Sequence, residues 1–497
     1  MIELRLDCLP ETELAQSRSE ISAALAARER PIILTLRPAE FGGGRAINVQ
    51  DRLFVRIHYR WLHLGNDQRT DFWDIELDLA LLLQQRQKEG NDIVGWGLCD
   101  WTRSICSYHD FVGVSYDLEQ IYESMAATES RVLKIAVQAD DAIDCLPVFR
   151  LLARAQREGR EMIAIAMGPA GIMTRILGPS RGAFLTYGSL DNERATAPGQ
   201  LTARELREVY RIDRIDRHTE IFGLMGRPVS HSVSPHFQNA AFHAAGLNAV
   251  YIPFEMIDAS AFIRRMVHPR SREIDWNLRG LSVTAPHKIS VIPHLDWIDS
   301  AAKEIGAVNT IVVAEDALRG YNTDGEAFIV PLQGALGPLA NVSCAIIGAG
   351  GAACAALSSL QRAGAQATLF ARNPESVRPL AQRFGVDCRP LREASFEDFE
   401  VVVNATPLGT IGDHQNESPA LAAQLRGVRL VYDLVYNPTE TLLLQQAARA
   451  GCACLGGLEM LVLQAAAQFK LWTGVDAPLS VMREAATLAL NGEEHTH

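Results

Sequence analysis

The chain has 497 residues, room for two to four domains, and its 48% hydrophobic and 21% charged content is that of a globular protein with sizeable cores. A formal net charge of −12 argues against nucleic acid and against an anionic membrane surface as partners, and no run of 18 apolar residues suggests a membrane span. The nine cysteines form no C-x-x-C pair and the opening MIELRLD is charged by its third residue, so neither a metal site nor a signal peptide is expected, and a reducing cytoplasm fits.

In chain order, short apolar segments read as strands at 2–7, 31–37, 72–77, 103–109, 132–138, 162–167 and 183–188, with helical periodicity between them, as at 13–29 and 141–159. Alternating strands and helices predict a parallel sheet, and seven or eight such units closing on themselves would form a (β/α) barrel. The charged stretch RIDRIDRHTE (211–220) marks a boundary, so the first domain is placed at 1–212. A second α/β unit spans 219–330, with strands at 221–226, 249–255 and 279–284. A third, 340–457, opens on NVSCAIIGAG, a strand entering a glycine turn, followed by the Ala-rich helix 351–364 and strands at 366–372, 401–406 and 430–436. C-terminal helices within 458–490 are expected to pack back on the second unit.

The glycine turn Gly348-Ala349-Gly350-Gly351-Ala352-Ala353 has the strand–turn–helix context of a dinucleotide site, with the helix N-terminus facing the phosphates. The next strand ends Phe370-Ala371-Arg372-Asn373, with no carboxylate to take a ribose 2′-hydroxyl. Arg372 can instead pair with a 2′-phosphate, which favours NADP over NAD, although by itself it is also an ordinary exposed arginine. Around this turn stand HSVSP (231–235), SVTAPHK (282–288), GAVNT (306–310), NTDG (322–325), NATPLG (404–409) and MLVLQ (460–464), which supply hydroxyls, amides, a lysine and a carboxylate. As an ordered set they resemble the shikimate dehydrogenases over about 219–490. The resemblance implies Lys288 and Asp324 as the catalytic pair, Ser232, Ser234, Thr284, Asn309, Tyr436 and Gln464 as substrate contacts, and Asn404 and Thr406 beside the glycine turn as cofactor contacts. Ser234, just before Pro235, could equally cap a helix. The family often carries asparagine at the position of Ser282, and relatives that use quinate carry a smaller residue at that of Ser232, which favours shikimate here.

In the first domain, Lys134 lies inside the apolar strand VLKIAVQ, where a lysine needs a partner or a task. Desolvation frees such an amine to attack a ketone; alternatively it sits at a strand end and reaches solvent. His109, at the end of the neighbouring strand, would meet it at the C-terminal rim of a barrel, or serve as a hydrogen-bonded structural residue. Residues 1–212 resemble the type I 3-dehydroquinate dehydratases, which form an imine with their substrate on a lysine and use a histidine as base. The resemblance implies Glu3, Arg5, Arg37, Arg175, Thr196 and Gln200 as substrate contacts, with Arg175 taking the carboxylate. The glutamate that the family places four residues after the Arg37 position is Phe41 here, with Glu40 one residue early. Seven strands stand where the family has eight, so the barrel is expected to lack its first β/α unit beside residues 2–7.

Together the two resemblances imply a bifunctional enzyme that dehydrates 3-dehydroquinate to 3-dehydroshikimate and reduces this to shikimate. A dehydrogenase joined to an impaired, scaffold-like barrel is the nearest alternative. A ligand-sensing module on both folds is another, against which the pairs Lys134–His109 and Lys288–Asp324 argue.

Overall fold

The computed structural model describes residues 1–10, 29–58, 72–89, 99–114, 117–191, 197–230 and 232–494, with five isolated positions between 11 and 28. Most of the helix expected at 13–29, and Thr196, lie outside the described residues. The chain divides into two compact units, Met1–Arg217 and His218–His497.

The first unit is a parallel sheet of β1 (Ile2–Arg5), β2 (Ile32–Thr35), β3 (Phe72–Glu76), β4 (Ser104–Asp110), β5 (Val132–Gln138) and β6 (Glu161–Met167), hydrogen-bonded in sequence order. Helices such as Leu77–Lys88 and Cys145–Arg157 lie between successive strands, the latter burying Leu146, Phe149 and Leu152. Six strands are described where the sequence predicts seven. Segment 183–188 makes a single bridge, Ala183 to Met162, because the Ala183 amide is already taken by the carbonyl of Gly178 at the preceding helix end. Among the described residues the sheet is therefore open, with β1 paired only to β2.

Strand alternation gives this sheet a sided chemistry. On one face Ile33, Phe72, Ile105, Val132 and Ile163 form a core cluster near the strand starts. Two and four residues further along the same face stand Thr35, Asp74, Glu76, Ser107, His109 and Lys134, all buried. Apolar residues thus fill the base of the sheet, and its polar residues collect at the C-terminal ends, where (β/α) folds carry their sites.

The second unit holds two sheets. One contains β7 (Glu220–Gly226), β8 (Ala249–Glu255), β9 (Leu278–Val283), β10 (Trp297–Ile298), β11 (Thr310–Val313) and β12 (Leu318–Tyr321) in the order β10-β12-β11-β9-β7-β8, with β11 antiparallel to both neighbours. The other contains β13 (Ser343–Ile347), β14 (Gln366–Ala371), β15 (Asp387–Pro390), β16 (Val401–Asn404), β17 (Leu430–Asp433) and β18 (Ala453–Leu455), all parallel, in the order β15-β14-β13-β16-β17-β18. This is the doubly wound dinucleotide order, and its switch point lies between β13 and β16. The helices Leu458–Thr473 and Leu479–Glu494 return to the first of these sheets: Val462, Phe469, Met482 and Leu490 share a core with Phe222, Phe237 and Phe242. Among the described residues no helix is long and apolar enough to cross a membrane.

Candidate active sites

In the first unit a charged network joins four strands or strand ends. Lys134 Nζ donates to Asp74 Oδ2 at 2.6 Å, and Arg37 Nη2 donates to the same oxygen at 2.9 Å. The Ser107 hydroxyl donates to Asp74 Oδ1. Arg37 Nε reaches Glu76 Oε1 at 3.0 Å, and Glu76 Oε2 lies 3.2 Å from His109 Nδ1. Burial opposes ionisation of Asp74, yet Lys134 and Arg37 outweigh it and hold the carboxyl well below its ordinary range. Burial, with Arg37 nearby, lowers the His109 pKa against the opposing pull of Glu76. The ring is therefore neutral at pH 7. With Glu76 as acceptor its proton sits on Nδ1, and the buried Nε2 has no protein partner.

The three arginines expected to hold substrate differ sharply. Arg5 forks onto Asp7 at 2.7 and 3.0 Å, and Asp7 also accepts the backbone amides of Arg37 and Gly44, so this pair braces the β1 and β2 loops. Arg37 is saturated by Asp74 and Glu76. Arg175, on the short helix after β6, is buried and among the described residues has no carboxylate partner; its Nη1 donates to the Tyr187 carbonyl at 3.5 Å and its Nε is unpaired. Burial alone pulls its pKa down to about 10. A buried, unpaired guanidinium is a site prepared for an anion. Glu3 accepts the Thr35 hydroxyl at 2.7 Å, and Gln200 is half-buried, its backbone N–H donating to the Ala197 carbonyl.

In the second unit one pocket brings together Ser232 and Ser234 at the start of helix Ser234–Ala244, Thr284 and Lys288 beyond β9, and Asn309 before β11. Asp324, Tyr436 and Gln464 complete its polar wall, and Ala352 of the glycine turn borders it. Lys288 Nζ donates to Asp324 Oδ2 at 2.6 Å, with the lysine part-exposed and the carboxylate buried. Asp324 opens helix Asp324–Leu336, whose N-terminal dipole favours its charge. Asn309 Nδ2 holds the other oxygen of Asp324 at 2.7 Å, so the amide expected to meet substrate also braces the carboxylate. Ser232 Oγ accepts the Ser234 amide at 3.2 Å; Val233 occupies the cap position, and Ser234 makes no capping bond. A Cβ on Gly351 would lie 3.0 Å from Lys288 Cδ, so the lysine passes directly over the glycine turn.

Comparison with known proteins divides the chain at the same place. Residues 1–217 match the type I 3-dehydroquinase model, 224–311 the shikimate dehydrogenase substrate binding domain, and 457–487 the shikimate 5'-dehydrogenase C-terminal domain. Residues 343–428 match the model of a coenzyme F420-dependent NADP oxidoreductase. A shikimate dehydrogenase (NADP(+)) of Dehalococcoides mccartyi is 39% identical over 289 residues, 55% of this chain and 97% of that protein. The crystal structure of a shikimate dehydrogenase in complex with NADP+ superposes with a TM-score of 0.52 at 35% identity, over 56% of this chain and 97% of that one. The chloroplastic bifunctional 3-dehydroquinate dehydratase/shikimate dehydrogenase of Arabidopsis thaliana is 30% identical across 96% of this chain and 78% of its own length. The chain belongs to this bifunctional family.

The dinucleotide region of the family fits this chain in detail. Gly348 has φ +114°, and a Cβ there would meet the Ala405 carbonyl and Thr406 Cγ2, each at 2.9 Å, so only glycine can make this turn. Gly350 is exposed and meets nothing at its Cβ position, leaving backbone free for a pyrophosphate, with Ala349 before it and Gly351 starting the helix. Arg372 is exposed just after β14. The Asn404 side chain is fully buried, donating to Asp433 at 2.9 Å and Leu408 O at 3.1 Å and accepting from Thr406, so it shapes the loop that carries Thr406.

Sequence reading missed several residues of both sites. Asp74 and Glu76 sit two apart in an apolar strand, a signal of paired buried carboxylates on one face that the motif search passed over. Glu76, and neither Phe41 nor the exposed Glu40, is the carboxylate at His109. Gln468, one helical turn after Gln464, takes the Ser282 hydroxyl at 2.7 Å, and Ser282 in turn accepts from buried Tyr251 at 2.7 Å.

Proposed function

We propose that the chain dehydrates 3-dehydroquinate to 3-dehydroshikimate in its first unit and reduces 3-dehydroshikimate to shikimate with NADPH in its second. In the first unit the Lys134 amine attacks the C3 ketone and water leaves as the imine forms. His109 Nε2 takes a proton from C2. The C1 hydroxyl departs as water with that proton, and hydrolysis of the imine frees Lys134. Asp74 carries the charge opposite the nitrogen throughout, Glu76 keeps the His109 proton on Nδ1, and Arg175 takes the substrate carboxylate.

In the second unit the bound cofactor supplies a hydride. Gly348, Ala349, Gly350, Gly351 and Ala352 hold its pyrophosphate, Thr406 lies beside them, and Arg372 receives the 2′-phosphate. Lys288 Nζ stabilises the oxygen formed at C3 and delivers its proton, while Asp324 fixes that ammonium in place. Ser232 and Ser234 hold the carboxylate, and Thr284, Asn309, Tyr436 and Gln464 the ring. The observation that carries the reading is the 2.6 Å Lys288–Asp324 pair beside the glycine turn. All nine cysteines are free, which supports a reducing compartment such as the cytoplasm.

The test is a coupled assay. 3-Dehydroquinate with NADPH should give transient 3-dehydroshikimate, NADPH oxidation and shikimate. Oxidation with 3-dehydroshikimate but none with 3-dehydroquinate would leave a dehydrogenase joined to an inactive barrel. No oxidation with either would reject the proposal.

A further inference from the structure

Tyr187 belongs to no motif read from the sequence, yet it touches three parts of the first-unit site. Lys134 Nζ lies 4.5 Å from the centroid of its ring. Its backbone carbonyl is the contact of the otherwise unpaired Arg175. Its hydroxyl is buried with no hydrogen-bond partner. Packing explains the ring, which lies against the cluster of Phe72, Ile105 and Val132. Packing does not explain the hydroxyl, since a phenylalanine would fill the same space without stranding a polar atom. The charged groups acting on this phenol are Glu3, Asp74, Arg37 and Arg5. Burial first, and then Glu3 and Asp74, raise its pKa well above the ordinary value, so it remains a neutral donor at any working pH.

We infer that Tyr187 is a substrate-contacting residue of the dehydratase site: its hydroxyl hydrogen-bonds a ring hydroxyl of the substrate near the ketone, while its ring face lies against the nitrogen that forms the imine. The inference rests on the dehydratase reading above. A polyhydroxylated ring held at C3 by Lys134 and at its carboxylate by Arg175 presents its remaining hydroxyls to the space between them. Tyr187 contacts both of those residues. Its orphan hydroxyl is satisfied when such a substrate binds, which ties the group to affinity and not to folding. The ring face attracts the cationic nitrogen both as ammonium and as protonated imine.

The experiment compares wild type, Tyr187→Phe and Tyr187→Leu in the full chain, with 3-dehydroquinate as the probe. Tyr187→Phe should raise KM about 10-fold, the scale of one lost polar contact to a bound hydroxyl, and change kcat by less than about 3-fold. The pH profile of kcat and borohydride trapping of Lys134 at saturating substrate should not change. Tyr187→Leu should in addition lower kcat, because the nitrogen of Lys134 loses the ring face it lies against. Dehydrogenase turnover in the same preparations reports the amount of intact chain, and circular dichroism with the thermal melt of the first unit reports the folding of the unit that carries Tyr187. A Tyr187→Phe enzyme with wild-type KM would overturn the inference. Absence of trapping and turnover in the wild type would instead overturn the dehydratase reading, and the inference with it.

Discussion

At the residue scale, both sites depend on a lysine whose charge is managed by a carboxylate 2.6 Å away. In the dehydrogenase site the ammonium must stay charged and give its proton to the developing alkoxide. Lys288→Ala should lower turnover about 10²-fold or more, the range for a lost acid–base group, with NADP affinity unchanged in a fluorescence titration. Arg372→Asp replaces attraction for a 2′-phosphate by repulsion and should move the NADP/NAD preference by about 1–3 kcal/mol toward NAD, read from the two kcat/KM ratios. An unmoved ratio would place the phosphate on other residues. In the dehydratase site the pH profile tests Glu76. Burial and Arg37 lower the His109 pKa and Glu76 raises it, so the wild-type acid limb lies below the ordinary histidine range. Removing the negative charge in Glu76→Gln lowers that pKa further. The acid limb should move to lower pH, while the plateau falls about 10-fold or more because Nδ1 loses its acceptor and the ring its fixed tautomer. A limb that stays in place would mean that Glu76 does not act on His109.

At the element scale, the glycine turn between β13 and the helix Gly351–Arg362 is backbone that tolerates no side chain at Gly348. Gly348 is both left-handed in φ and pressed against the Ala405 carbonyl and Thr406, which belong to the loop after β16. Gly348→Ala must open the contact between these two loops and adopt a disfavoured dihedral, at a cost of about 1–3 kcal/mol. The expected result is a lower thermal midpoint for the second unit together with loss of NADP binding; retention of both would show that the turn relaxes. The inner face of the first sheet shows the converse design. Its base of Ile33, Phe72, Ile105 and Val132 is apolar, and charge is confined to the residues beyond it, where Arg37, Asp74, Glu76 and Lys134 are paired with one another. Removing one partner of such a network leaves a buried charge uncompensated, so single changes at Asp74 should be far more damaging than any surface ion pair.

At the scale of the whole molecule, the cut between Arg217 and His218 separates two units with their own cores. The second unit alone covers what stands as a whole enzyme in Dehalococcoides mccartyi. Residues 218–497 expressed alone should therefore fold, judged by circular dichroism and a cooperative melt, and reduce 3-dehydroshikimate at the rate of the full chain. An unfolded or inactive fragment would mean that the first unit supports the second.

How much of this was legible beforehand follows from where each interaction lies along the chain. The glycine turn was readable from short-range rules, since a turn of positive φ calls for glycine and a phosphate for a helix N-terminus, whereas Lys288 and Asp324 were readable only through the resemblance of the motifs that hold them, SVTAPHK and NTDG. Lys134 was readable because a lysine in an apolar strand is anomalous on its own. The partners that decide what these groups do were not readable, because they come from other strands. Asp74 reaches Lys134 across 60 positions and Glu76 reaches His109 across 33, through a parallel register that no local pattern specifies. The same holds for the arginines. The resemblance made all three of Arg5, Arg37 and Arg175 substrate contacts and gave the carboxylate to Arg175, but only the fold pairs the first two with carboxylates and leaves the third, among the described residues, without one. The sequence by itself determined the alternation of strands and helices and the glycine turn, since these follow from local periodicity and backbone chemistry, and the resemblance of its two sets of motifs named the candidate reactive groups. Tertiary structure decided the pairings, the extent of the first sheet and the state of each ionisable group, because burial and the electrostatic field at a residue are set by neighbours distant in the chain.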